Sequence, residues 1–212
     1  MQVILLSFYW GAKHEFACTE DELDNRTDAH MDVNEVREGA VVIAPVKTKG
    51  AGVYIGDVHA MQGDGEIAGH TTDIAAEVEV TLDLIKDLNN LGPIILPNIE
   101  DLHPLTKPYT SSEREEIKKD AQSIGLDYIE DEMYPIQMIG SGADLNSAAA
   151  DGLNKLAELL NYSLAEVKNR VTINGDISIG RAPGMVNITM LTPISKLEDI
   201  NLADLVKDHY NI

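Results

Sequence analysis

Short aliphatic and β-branched runs set between turn residues constrain this chain most. "AVVIAPV" (40–46) reads as a buried strand stopped at Pro45, and "VYIG" (53–56) leads into a glycine-rich loop. "EVEVTLDL" (77–84) alternates strictly, with Val78, Val80, Leu82 and Leu84 on one face, as in a strand half in the core and half in water. "IILP" near residue 95 and "YPIQMIG" near residue 135 are further strand candidates. "VTINGDISIG" and "MVNITML" return to strands near the C-terminus, with Asn174-Gly175 as a turn signal between strands.

Helical signals interrupt this pattern in the second half. Ser112-Glu113-Arg114-Glu115 carries a capping-box pattern, and Gly125 offers a stop. Asp144 can cap a second helix, with Leu145, Ala149, Leu153, Leu156 and Leu160 as its apolar face. Ser163-Leu164-Ala165-Glu166 opens a third close behind, so the two form an αα-hairpin. The expected class is α+β, mainly β, with a helical pair packed on a sheet.

Charge and cysteine usage narrow the function. The 212 residues hold 36 acidic and 16 basic side chains, a formal net charge of −20. Phosphate backbones and anionic lipid surfaces are bound by Lys and Arg, so neither nucleic acid nor a membrane surface is an expected partner. With 44% hydrophobic residues, a packed core rather than disorder is expected. Cys18 is the only cysteine, which excludes an intramolecular disulfide and points to a reducing, cytoplasmic setting. The leading "MQVILLSFYW" lacks a basic start and a cleavage site and is too short to span a bilayer; it reads as a buried strand.

The chemistry concentrates in "GDVHAMQGDGEIAGH" (56–70). In an extended segment, Asp57 and His59 share one face, because strand side chains alternate with period two. A carboxylate and an imidazole together make a partial metal site of the kind Zn²⁺ accepts. Gly63 and Gly65 permit a sharp turn, so that Asp64 and Glu66 can point back at the same spot. Upstream, His30 and Asp32 in "AHMD" repeat the i, i+2 relation and supply a second candidate pair. Asp and Gly are also the ordinary composition of tight turns, and a turn-rich hairpin with solvated side chains fits the same spacing. His14, His70, His103 and His209 have no such company. Neither a nucleotide-binding glycine loop nor a serine-nucleophile elbow is present.

"MDVNEVREGAVVIAPV", "GDVHAMQGDGE" and "EVEVTLDL", taken together, resemble the acetamidase/formamidase family, as do "YSLAEVKNRV" and "NGDISIG" further on. Met31-Asp32, Gly39, Pro45, Gly56, Asp57, His59, Ala60, Gly63, Asp64, Gly65 and Glu66 fall on the family pattern. The resemblance implies a single β-rich domain of sandwich or barrel type over residues 1–212. Within it lie a divergent segment (1–27), a motif-bearing β region (28–88), a divergent insertion (89–133), the helical pair with return strands (134–195) and a tail (196–212). It also implies hydrolysis of a short aliphatic amide to a carboxylate and ammonia by a metal-dependent homodimer. Asp32, Asp57 and His59 would be the metal ligands, with His30 as an additional candidate. Glu66 and Asp64 would be the catalytic carboxylates, Glu66 as acid/base. Zinc is the leading metal and calcium the alternative. A catalytically silent member that binds metal or a partner is the rival expectation.

Overall fold

The computed structural model describes residues 32–46, 53, 55–127, 129–130 and 132–211. The leading strand candidate, Cys18, His14 and His30 lie outside the described residues. Five strands form one sheet in the order β1-β4-β5-β7-β6: β1 (Val41–Ile43), β4 (Ile94–Leu96), β5 (Met133–Ser141), β7 (Met185–Pro193) and β6 (Gly175–Arg181). Every adjacent pair is antiparallel. β2 (His59–Met61) and β3 (Thr72–Asp73) make a separate two-stranded ribbon.

The centre is β5 against β7, paired without a break from Met133↔Pro193 to Ser141↔Met185. All nine residues of β7 are buried, which explains its nearly continuous apolar sequence: both faces are covered. One face carries Tyr134, Ile136, Met138, Val186, Ile188 and Met190 into the main core. Against it pack α2 (Leu145–Leu159) and α3 (Leu164–Asn174), the expected helical pair. The α+β, β-rich class is therefore what the chain adopts.

Close approach of α2 depends on glycine on both sides. A Cβ at Gly140 would lie 2.1 Å from the Ala148 carbonyl oxygen, and one at Gly152 would lie 2.8 Å from Ile188 Cδ1. The buried stripe of α2 is Ala148, Gly152, Leu156 and Leu159, with Leu160 just beyond it. Leu145, Ala149 and Leu153 only flank the core. The glycine contact thus turns Ala148 and Gly152 into the sheet as well, while Leu156 and Leu160 of the expected face are fully buried, each contributing about 1.5–3 kcal/mol.

The opposite face of the sheet is covered by residues 32–36, where Val33 and Val36 meet Val42, Ile95, Ile139 and Met185. Arg37 anchors this segment through Asp101 (Nε–Oδ2 2.7 Å) and Glu100 (2.8 Å). The chain therefore brings Asp32 over the sheet, near the β6 edge.

Three local expectations need correction. Residues 74–86 have no regular secondary structure, and Val80, Leu82 and Leu84 are exposed. Alternation makes a segment amphipathic when extended, but a strand also needs a ladder partner, and none faces this stretch among the described residues. Asn174-Gly175 is not a hairpin turn: α3 runs to Asn174, Gly175 opens β6, and the β6–β7 turn falls at residues 182–184. The first helix, α1 (Ser111–Ser123), is capped by Thr110 rather than Ser112. Thr110 and Glu113 satisfy the capping box reciprocally, with Thr110 N–H donating to Glu113 Oε2 at 2.8 Å. Asp144 and Ser163 cap α2 and α3 as expected.

Candidate metal and acid–base site

The 56–70 loop docks on the outer edge of the sheet. Gly65 N–H donates to Ile179 O (3.0 Å) and Ala182 N–H donates to Gly65 O (2.9 Å), a parallel bridge beside Arg181. Gly65 has φ +82°, and a Cβ there would meet Ile179 Cγ2 at 3.1 Å, so both conformation and proximity require glycine. Asp32, Asp57 and Glu66 also adopt left-handed backbone, with φ of 46°, 55° and 41°. Such conformations cost energy in non-glycine residues and cluster where a side chain must be aimed.

Asp57 and His59 converge as expected, though by a different route. Asp57 lies just before β2 in left-handed rather than extended backbone, and its Oδ1 reaches His59 Nε2 at 3.1 Å. The third member is one that spacing did not suggest. Asp73 is the cross-strand partner of His59, and its Oδ1 stands 3.6 Å from the same nitrogen. Among the described residues, Asp57, His59 and Asp73 form the one group of three His, Cys, Asp or Glu side chains whose ligand atoms all lie within 4.8 Å of one another. His59 is buried at 1% exposure, whereas Asp57 (35%) and Asp73 (63%) open the cluster to solvent.

A hydrogen-bond relay sets the imidazole. Gln62 Nε2 donates to the Asp32 backbone carbonyl, which turns Gln62 Oε1 toward His59 Nδ1 at 2.8 Å. Nδ1 therefore carries the proton in neutral His59, and the Nε2 lone pair faces the two aspartates. Burial disfavours the charged ring. The hydrogen bonds to Gln62 and Asp57, with the charges of Asp57 and Asp73, outweigh it and hold the His59 pKa above its ordinary value.

These residues fit a divalent ion. Ligands about 2.0–2.1 Å from a tetrahedral zinc lie roughly 3.3–3.4 Å apart, close to the two distances around Nε2. Asp57, His59 and Asp73 could supply three ligands and leave the solvent side open. The set mixes one imidazole with two carboxylates, a donor combination that several divalent ions accept.

Asp32 is engaged elsewhere. Its side chain is fully buried, with Oδ2 2.9 Å from Arg181 Nη1, and it faces the carboxyl of Glu66. Glu66 is itself buried, and its pKa is raised by that burial, by a hydrogen bond with Asp32 and by the Asp32 charge. Arg181 and His59 pull it back only in part. The Glu66 Oε2 atom has no hydrogen-bond partner among the described residues. Asp64 is exposed on the far side of Gly65 and accepts from Asn34 Nδ2.

Sequence reading missed Asp73 and Arg181. The one local hint for Asp73 was an acidic residue ending "HTTD" after the loop, and Arg181 stands out only as a cation in an acidic chain. The remaining described histidines have other places: His70 is exposed, His103 caps a 3₁₀ turn, and His209 Nε2 meets Pro97 O at 2.9 Å.

The model of the acetamidase/formamidase family matches residues 22–197. Two solved structures share the fold. One is a predicted acetamidase/formamidase from the thermophile Thermoanaerobacter tengcongensis, 22% identical, covering 82% of this chain and 48% of that one at a TM-score of 0.54. The other is an acetamidase from Yersinia enterocolitica, 21% identical, covering 79% of this chain and 42% of that one at a TM-score of 0.57. This chain thus spans less than half the length of either. No curated protein matches it. The family match takes in the Asp57–His59 loop, the helical pair and both return strands, so the chain belongs to the acetamidase/formamidase family.

Proposed function

We propose that this chain hydrolyses a short aliphatic amide, of the acetamide or formamide type, to a carboxylate and ammonia, using a divalent cation held by Asp57, His59 and Asp73. The observation that carries this reading is the meeting of three ligand atoms beside a buried carboxyl, Glu66, whose pKa is raised. When bound, the cation supplies Lewis-acid polarisation of the amide carbonyl and a water of lowered pKa. Gln62 keeps His59 Nε2 directed at the site. Glu66 holds a proton closer to neutral pH than an ordinary carboxyl and passes it to the departing nitrogen. Asp32 keeps that proton on Glu66 through its charge, and Arg181 stabilises Asp32 in its buried position. Asp32 thereby acts as a partner of Glu66 in place of the ligand role its spacing implied.

Asp64 positions the loop through Asn34. His30 stays a candidate further ligand. Zinc is the proposed metal; the homodimer rests on the family resemblance alone and the cytoplasmic setting on the single cysteine, Cys18.

The test is ammonia release from acetamide and formamide, with metal content measured on the same samples, for wild type and Glu66→Gln. The expected result is metal retained and turnover lost in the variant. Retained metal with unchanged turnover removes the role of Glu66. Metal bound by wild type with no ammonia released identifies a catalytically silent, metal-binding member.

A further inference from the structure

A second polar cluster lies on the sheet face covered by residues 32–36. Gln137 on β5 faces Thr189 on β7, and its Nε2 donates to Thr189 Oγ1 at 3.2 Å and to the Glu35 carboxylate. Two residues before Thr189, Asn187 Nδ2 donates to Glu35 Oε2 at 3.1 Å and to Ser178 Oγ at 3.2 Å. Both amide nitrogens are thus committed to acceptors. A flipped amide would set a carbonyl against a carboxylate, so the nitrogen-to-Glu35 orientation is the favourable one.

That orientation leaves an excess of acceptors. Gln137 Oε1 and Asn187 Oδ1 have no hydrogen-bond partner among the described residues, and each residue is only 2% exposed. Buried amide oxygens without donors are uncommon and costly, and each calls for an explanation. The anions nearby do not supply one. Arg37 answers Asp101, whereas Glu35 and Asp64 are held by amide groups; burial, with the charges of Asp64 and Asp101, pushes the Glu35 carboxyl above the usual carboxylate range, so a cationic or N–H-rich neighbour is the partner it lacks.

We propose that Gln137 Oε1, Asn187 Oδ1 and the Glu35 carboxylate form a subsite for a small N–H donor, an ammonium ion or the –NH₂ of a primary amide. Two buried amide oxygens without donors, beside a carboxyl, match a group that carries several N–H bonds and no acceptor. Primary amides and ammonium share that chemistry, and tertiary amides and alkali cations lack it. The ligand class rests on the amide-hydrolysis reading. The cluster adjoins the metal-site loop, because Asn34, next to Glu35, holds Asp64.

The experiment is thermal unfolding of the full chain with increasing ammonium chloride, against sodium and tetramethylammonium chloride at matched ionic strength. A second arm, with chelator present to prevent turnover, compares propionamide with N,N-dimethylpropionamide. The expected result is a saturable rise in midpoint with ammonium, with propionamide or with both, and none beyond the controls. A response to one alone states which of the two the subsite takes. Gln137→Met and Glu35→Gln should each weaken the apparent affinity at least tenfold; Glu35→Gln changes only a partly buried turn residue and keeps the test open if Gln137→Met does not fold. No N–H-specific shift in either arm, or wild-type shifts in the variants that fold, overturns the proposal. A shift without ammonia release from any amide keeps the subsite and rejects hydrolysis, and turnover without a shift does the reverse.

Discussion

Replacing Gln62 by leucine isolates the relay that sets His59. Leucine nearly matches glutamine in volume, so the change removes hydrogen bonds without opening a large cavity. Two bonds disappear: His59 Nδ1–H loses its acceptor at 2.8 Å, and the Asp32 carbonyl loses its donor. At 1% exposure, His59 has little access to water in exchange. A buried donor left unpaired costs about 1–3 kcal/mol. Loss of a partner that orients a metal-bound imidazole typically lowers metal affinity by about 10–100-fold, or roughly 1.4–2.7 kcal/mol. Competitive zinc titration against a chromophoric chelator should therefore show a loss of about 10–100-fold for Gln62→Leu. Unfolding of the metal-free variant should move down by a few degrees, at about 2–4 °C per kcal/mol for a chain of this size. Exposed Asp64→Asn, which leaves the relay intact, should bind zinc as wild type does. Zinc affinity within about twofold of wild type for Gln62→Leu would refute the relay, since a tenfold change is 1.4 kcal/mol.

Further expectations follow from the same geometry. Asp73→Asn should weaken zinc binding more than Asp64→Asn, read in the same competition assay, because Asp73, unlike Asp64, stands beside His59 Nε2. The raised pKa of His59 gives the metal-free protein a stabilising contribution that is complete below the unfolded value of about 6.5 and is lost as pH rises through the higher folded value. Zinc needs the neutral ring, so its affinity should climb over that interval, with proton release measurable by calorimetry in buffers of different ionisation enthalpy. Glu66 is also raised, so its favourable contribution is complete below the ordinary carboxylate range and is lost as pH increases. Metal-free Glu66→Gln should accordingly gain stability over wild type near neutral pH in denaturant unfolding, and the gain should vanish in acid. Gly140→Ala should fold poorly, since its Cβ would lie 2.1 Å from a helix carbonyl; soluble expression and circular dichroism report it.

What could be read from the sequence was local. Asp57, His59 and Glu66 lie within ten residues; the i, i+2 spacing of the first two and the turn allowed by Gly63 and Gly65 suggested that they could converge. The caps of α2 and α3 were equally visible, because a cap is decided by a side chain and an amide three residues on. Asp73 was hidden because its place depends on β2 pairing with β3, a register that no local pattern announces. Arg181 comes from the β6–β7 hairpin, 149 residues from the Asp32 it meets. "EVEVTLDL" misled for the same reason in reverse. Its alternation is a property of the segment, but a ladder is a property of two segments. At Asn174-Gly175, a good turn dipeptide was overridden by a helix that continued to the asparagine before the strand began.

The most direct test is ammonia release from formamide, followed while zinc is added to metal-depleted protein and its binding is measured in the same samples. Turnover should rise in proportion to bound zinc, level at one ion per chain, and be absent in His59→Ala at every zinc level. Full turnover in the metal-depleted protein, or turnover in His59→Ala equal to wild type, would contradict an amidase built on Asp57, His59 and Asp73.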